Sequence, residues 1–70
     1  SDPYFEGDII QIKLHKAIAN LPQKQRIIFN MRYFDEMKYQ KISEILQTSV
    51  GGLKASYHHA KNKIKNILDE

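Results

Sequence analysis

Val50, Leu53, Tyr57, Ala60, Ile64 and Ile67 follow one another at steps of 3, 4, 3, 4 and 3 residues, which keeps them on one face of an α-helix. A stripe this regular predicts a helix over about Val50 to Leu68 and requires apolar cover along its length. The 70-residue chain offers little to spare for that task, since a domain of about 60 residues buries only about 60% of its unfolded surface. With no cysteine in the chain, no disulfide supports the core.

The helical period recurs upstream. Ser1 to Gly7, punctuated by Pro3 and Gly7, reads as a leading linker-like segment, and the folded domain is expected over residues 8–70. Asp8 is the expected N-cap of a first helix whose stripe is Ile10, Leu14, Ala17, Ile18 and Leu21. Pro22 ends that helix and suits the first position of a second, about Pro22 to Phe34, where its missing N–H costs nothing. Ile27, Ile28, Met31 and Phe34 form the inward stripe there, and Asp35-Glu36 breaks it. A short third helix, about Tyr39 to Gln47, turns Ile42, Ile45 and Leu46 inward. No strand-type alternation occurs, so the expected class is all-α with four helices.

Ser49 stands where the last helix needs a cap, its hydroxyl able to accept an amide from the first turn. Gly51 and Gly52 follow, each costing about 1 kcal/mol of helix propensity relative to Ala. Something other than propensity must favour them, such as close approach of a partner helix or of backbone.

A short amphipathic helix, a tight polar turn and a longer Ser-capped helix make a helix-turn-helix, whose second helix enters the DNA major groove. Gly51, Lys54, Ala55 and His58 project together, away from the apolar stripe, and Lys61 and Lys65 continue the cationic line. Small residues beside Lys54 permit close approach, and the amides behind Ser49 suit a phosphate. Lys41, early in the third helix, is placed for the flanking backbone. Charge agrees with this reading. The net +3 hides a body from Ile9 to Leu68 that carries all 11 cations against Asp35, Glu36 and Glu44, or +8, which favours polyanionic partners. The alternative is a protein-interaction bundle whose lysines are merely solvated.

Two stretches carry a family resemblance: Leu21-Pro-Gln-Lys-Gln-Arg-Ile-Ile-Phe-Asn-Met-Arg-Tyr-Phe34, and Tyr39-Gln-Lys-Ile-Ser-Glu-Ile-Leu-Gln-Thr-Ser-Val-Gly-Gly-Leu-Lys-Ala-Ser-Tyr-His-His-Ala60. Over roughly residues 10 to 68 the chain resembles region 4 of RNA polymerase sigma-70 factors, most of all the extracytoplasmic-function group. The resemblance implies a winged-helix-like helical domain without a wing. Its implied partners are double-stranded promoter DNA at the minus-35 element, the beta-flap of core RNA polymerase, and an anti-sigma factor. It further implies a cytoplasmic bacterial protein and a separate region 2, to which nothing in this chain corresponds. Ser49, Gly51 and Lys54 match the start of the family's recognition helix. Ser56 and His59 stand where the family often has arginines, and Lys38 where many members have a capping Ser or Thr. A second DNA-binding reading is the four-helix effector domain of a response regulator, against which Pro22 and the Leu21–Phe34 run weigh.

The remaining residues give little further chemistry. Phe5, Ile9 and Ile12 form a separate apolar stripe on the first helix, as Phe29 and Tyr33 do on the second. These either pack on each other or form a docking surface for polymerase or an anti-sigma factor. Adjacent His58 and His59 point about 100° apart on a helix and lack a third ligand nearby, so no metal is expected. Ser43, Ser49 and Ser56 have no His–carboxylate partners, so no catalysis is expected, and no cofactor. The longest apolar runs are of the length of Ile27-Ile28-Phe29, far short of a membrane span. The acidic N-terminus has no signal-peptide pattern.

Overall fold

A computed structural model describes the backbone of residues 3–69 and the side chains of residues 9–69. Among them are four helices: α1 (Pro3–Ala19), α2 (Gln23–Phe29), α3 (Tyr39–Leu46) and α4 (Val50–Leu68), with a π-helical turn (Asn30–Phe34) continuing α2. The boundaries of α3 and α4 match the sequence expectation within a residue. Those of α1 do not. Its helix takes in Pro3 and passes through Asp8, so Asp8 is not its N-cap and residues 3–7 of the leading segment are helical. Proline's fixed φ suits a first helical turn, and one internal Gly7 lowers helix stability without ending it. Pro22 in turn is the N-cap of α2, at φ −54° and ψ 147°, rather than its first helical residue.

The core is two apolar clusters with Tyr57 packed against both. Ala17, Ile18, Leu21, Phe29, Ala60 and Ile64 join α1 and α2 to α4. Ile28, Ile42 and Leu53 join α2 and α3 to α4. Helix α4 is therefore the shared wall of both, as its unbroken stripe requires. Phe29 was a docking-surface candidate, but it is 3% exposed and belongs to the core. Phe5 falls outside the residues whose side chains are described.

Three expected core residues face out: Ile10 (61% exposed), Phe34 (47%) and Ile45 (48%). Each has a geometric reason. Leu14 and Leu68 line one groove, so Ile10, a turn earlier on α1, has run past the end of α4. Phe34 lies in the π turn, where the Asp35 amide donates to the Asn30 carbonyl at 3.2 Å. That five-residue reach inserts an extra residue per turn and rotates the chain off the α-helical stripe. Helix α3 has only 8 residues, and Ile42 and Leu46 already cover its packed face.

The helix-turn-helix corner is built from local hydrogen bonds. Gln47 ends α3 in the left-handed region at φ 55°, the conformation in which helices commonly stop. Its side-chain amide donates to the Glu44 carbonyl at 3.1 Å, and the Thr48 hydroxyl donates to the Leu46 carbonyl at 3.2 Å. Ser49 Oγ then accepts from the Gly52 amide at 3.1 Å, a cap typically worth about 1 kcal/mol. At the start of α3, Lys38 makes no side-chain cap, as its departure from the family pattern implied.

Candidate nucleic-acid interface

The corner fixes how α4 meets solvent. Leu53, Ala60 and Ile64 are buried, so at about 3.6 residues per turn Gly51, Ala55 and His58 project on the opposite side, with Lys54 beside them. All four are exposed, as are Ser49 at the cap and Lys41 in the first turn of α3. These residues lie together as one open strip.

Glycines 51 and 52 separate in their reasons. A Cβ on Gly52 would meet Ser49 Oγ at 3.1 Å and Thr48 Cγ2 at 3.4 Å, so the cap itself favours glycine there. A Cβ on Gly51 would meet nothing within 4 Å. The fold has no steric use for that glycine.

Two lysines of α4 rest against aromatic rings. Lys54 Nζ lies 5.7 Å from the centroid of the Tyr39 ring, and Lys61 Nζ lies 4.9 Å from that of Tyr57. Arg32 shares the Tyr39 ring, with its guanidinium carbon 4.8 Å from the centroid, and donates to the Met37 carbonyl at 3.0 Å. These are cation–π distances. Burial pushes the Tyr57 hydroxyl above its ordinary pKa; nearby Tyr39 adds to the rise and Arg32 opposes it. Tyr57 therefore stays neutral and the face of its ring attractive to a cation.

Arg32 and Tyr39 were not singled out in the sequence, because what brings them to Lys54 is the packing of three different segments. Tyr57, on the apolar stripe of α4, is half-buried and packs against both clusters rather than inside either. Its spacing of four residues from Lys61 was the visible sign of their contact. The π-turn residue Tyr33, 52% exposed, lines one cleft with Arg32, Glu36, Tyr39, Tyr57 and Lys61.

Lys61 and Lys65 lie on the rim of a second, apolar groove of about 410 Å³ lined by Leu14, Phe29, Tyr33, Tyr57, Ile64 and Leu68. Lys65 is about 16 Å along the helix from Lys54 at about 1.5 Å per residue, more than the roughly 12 Å width of a major groove. Ile9 (37% exposed) and Ile12 (53%) are apolar surface on α1. His58 Nε2 pairs with the Asn62 side-chain nitrogen at 3.2 Å, and the His58 and His59 rings sit edge to face at 6.0 Å, not converging on a common point. Among the described residues no helix is long and apolar enough to cross a membrane.

Comparison with known proteins agrees with this architecture. Residues 11–64 match the family model described as Sigma-70, region 4. The chain is 31% identical over 55 residues to the ECF RNA polymerase sigma factor SigW of Bacillus subtilis, covering 79% of this chain and 29% of that protein. It is 28% identical over 61 residues to the RNA polymerase sigma-H factor of Pseudomonas aeruginosa, covering 87% of this chain and 32% of that protein. The chain thus spans about a third of the length of the curated relatives it matches. Matched over most of its length, with its last two helices set as a capped helix-turn-helix, the chain belongs to the sigma-70 region 4 family.

Proposed function

We propose that this chain recognises the minus-35 element of a promoter, as the C-terminal domain of an extracytoplasmic-function sigma factor that brings core RNA polymerase to transcription initiation. The observation that carries the reading is the exposed strip Gly51, Lys54, Ala55 and His58 on the side of α4 away from the core. A helix entering a major groove needs small residues where it comes closest and donors where it meets base edges. Lys54 and His58 supply donors; Gly51 and Ala55 supply clearance. Lys41, Lys61, Lys65 and Arg32 hold phosphates on either side, and the Ser49 corner directs backbone amides at another. The role is binding, with no chemical step, in the bacterial cytoplasm. The response-regulator alternative loses its ground with the family match.

Titrating the labelled chain with duplex DNA tests the proposal. Amide resonances of residues 49–65 should move, and should move less as salt rises. Resonances unmoved even at low salt would favour the solvated-lysine bundle instead. Lys61→Gln should reduce the slope of log affinity against log salt by about 0.9; an unchanged slope removes Lys61 from the interface.

Gly51 gives a prediction with opposite signs. Gly51→Ala is expected to stabilise the fold by about 0.5–1 kcal/mol, because the new methyl meets no neighbour and helix propensity improves. The same methyl should weaken duplex binding several-fold by standing in the space that DNA fills. A thermal melt and a DNA titration on one variant check both halves, and unimpaired binding would show that Gly51 does not face the groove floor.

For core polymerase, and for an anti-sigma factor, the proposed contact is the apolar groove beneath Lys61 and Lys65 with exposed Tyr33, extended by Ile9 and Ile12 on α1. Capture of core polymerase by the chain, lost on Tyr33→Ser, tests the polymerase contact.

A further inference from the structure

We infer that Tyr39 and Tyr57 are positioning residues of the DNA face, whose rings hold Lys54, Lys61 and Arg32 at the groove edge before DNA arrives. The inference rests on the reading of α4 as the DNA-binding helix and adds to it a reason why its cations are ready.

The two rings form one unit. They meet edge to face, with centroids 6.3 Å apart and planes at 73°. Each is anchored in the core: Tyr57 packs against both apolar clusters and tilts against buried Phe29 at 5.6 Å, while Tyr39 packs with Ile28, Ile42 and Leu53. A cation that rests on such a ring takes its position from the core. Helix α3 supplies the ring for Lys54, and α4 supplies the ring for its own Lys61 one turn on.

This matters because an exposed lysine is otherwise a long, mobile chain. Fixing it on a phosphate costs rotamer freedom, and a side chain already ordered on folding has less to lose on binding. The ring interaction does not consume the charge. It occupies one side of the ammonium, which keeps N–H donors for a phosphate or base. Arg32 and Lys54 both take their place from the Tyr39 ring. The hydroxyls play no part in this account, so phenylalanine should replace either tyrosine.

The test compares Tyr39→Phe, Tyr57→Phe, Tyr39→Leu and Tyr57→Leu in the whole 70-residue chain, without DNA and with a short duplex of the sequence that the parent chain selects. In the free protein, ring currents should shift the ε-methylene protons of Lys54 and Lys61 upfield. The shifts should persist in the Phe variants and vanish for Lys54 in Tyr39→Leu and for Lys61 in Tyr57→Leu. Each Leu variant should bind the duplex about two- to fivefold more weakly, and the Phe variants should bind like the parent. In a Lys61→Gln background, Tyr57→Leu should cost nothing more. Should Tyr57→Leu melt too easily, Tyr57→Met fills similar volume without a ring and gives the same comparison.

Unshifted ε-methylene protons overturn the inference. So do Phe variants that lose as much as Leu variants, or an equal loss from Tyr57→Leu with and without the Lys61 charge, since the ring would then act only through the fold. Failure of the underlying DNA reading looks different: the ring-current shifts remain, but Lys54→Gln and Lys61→Gln bind the duplex as the parent does.

Discussion

Leu53→Ala is expected to lower the free energy of unfolding by about 2–5 kcal/mol, the largest stability loss of any truncation in α4. Leu53 is fully buried and joins Ile28 of α2 to Ile42 of α3, with Met31, Met37, Tyr39, Leu46 and Tyr57 packed around them. Removing its isobutyl group leaves a cavity in the smaller of the two clusters, where few neighbours can collapse inward. The whole domain has little in reserve. At roughly 0.05–0.15 kcal/mol per residue its total stability is about 3–10 kcal/mol, so this one change takes much of it. Helix α3 should loosen first, because Ile42 is its only fully buried anchor. Urea titration with the slope unchanged and the midpoint lowered is the expected record, together with loss of amide protection across α3 before α1. A loss below about 1 kcal/mol would mean that the packing around Leu53 is not what fixes the helix-turn-helix angle.

That dependence shows why parts of this fold were legible in the sequence and others were not. The ends of α3 and α4 and the Ser49 cap are decided within a few residues, by hydroxyl–amide geometry and an unbroken apolar stripe. Periodicity alone reveals them. Pro3 and Gly7 carry the composition of a linker, yet a proline at a first helical turn is favourable, and α1 begins at Pro3. Ile10, Ile45 and Phe34 had the right spacing and the wrong surroundings. Whether a stripe position is covered depends on how long the opposing helix is, and in the case of Phe34 on a π turn that shifts the register after Phe29. Phe29 shows the converse, since it lies off the predicted stripe of α2 and is buried by α1 and α4 together. At the interface, the strip on α4 was readable because a single helix generates it. The Arg32–Tyr39–Lys54 cluster was not, because its members lie 7 and 15 residues apart on segments that the packing around Ile28, Ile42 and Leu53 brings together.

Lys54→Gln should weaken specific promoter binding by about 1–3 kcal/mol, or roughly five- to 150-fold, and relax the preference at one base pair. Among the cations of this face, Lys54 alone stands in the first turn and a half of α4, beside Gly51 and Ala55 and behind the Ser49 cap. In the proposed docking the helix comes nearest to base edges there. Lys61 and Lys65, farther along, are assigned to backbone, so their loss should weaken binding to all sequences alike. The two classes therefore separate in one experiment. Duplexes selected by the parent chain or its full-length factor are compared with those selected by each variant. Lys61→Gln should keep the parent's sequence preference with a shallower salt slope, while Lys54→Gln should change the preference itself. Equal losses on specific and mixed-sequence DNA from Lys54→Gln would assign Lys54 to a phosphate. Base readout would then fall to His58, the other donor on the strip. Its imidazole is held to Asn62, so a loss of the parent's sequence preference in His58→Ala would identify it as the reader in Lys54's place.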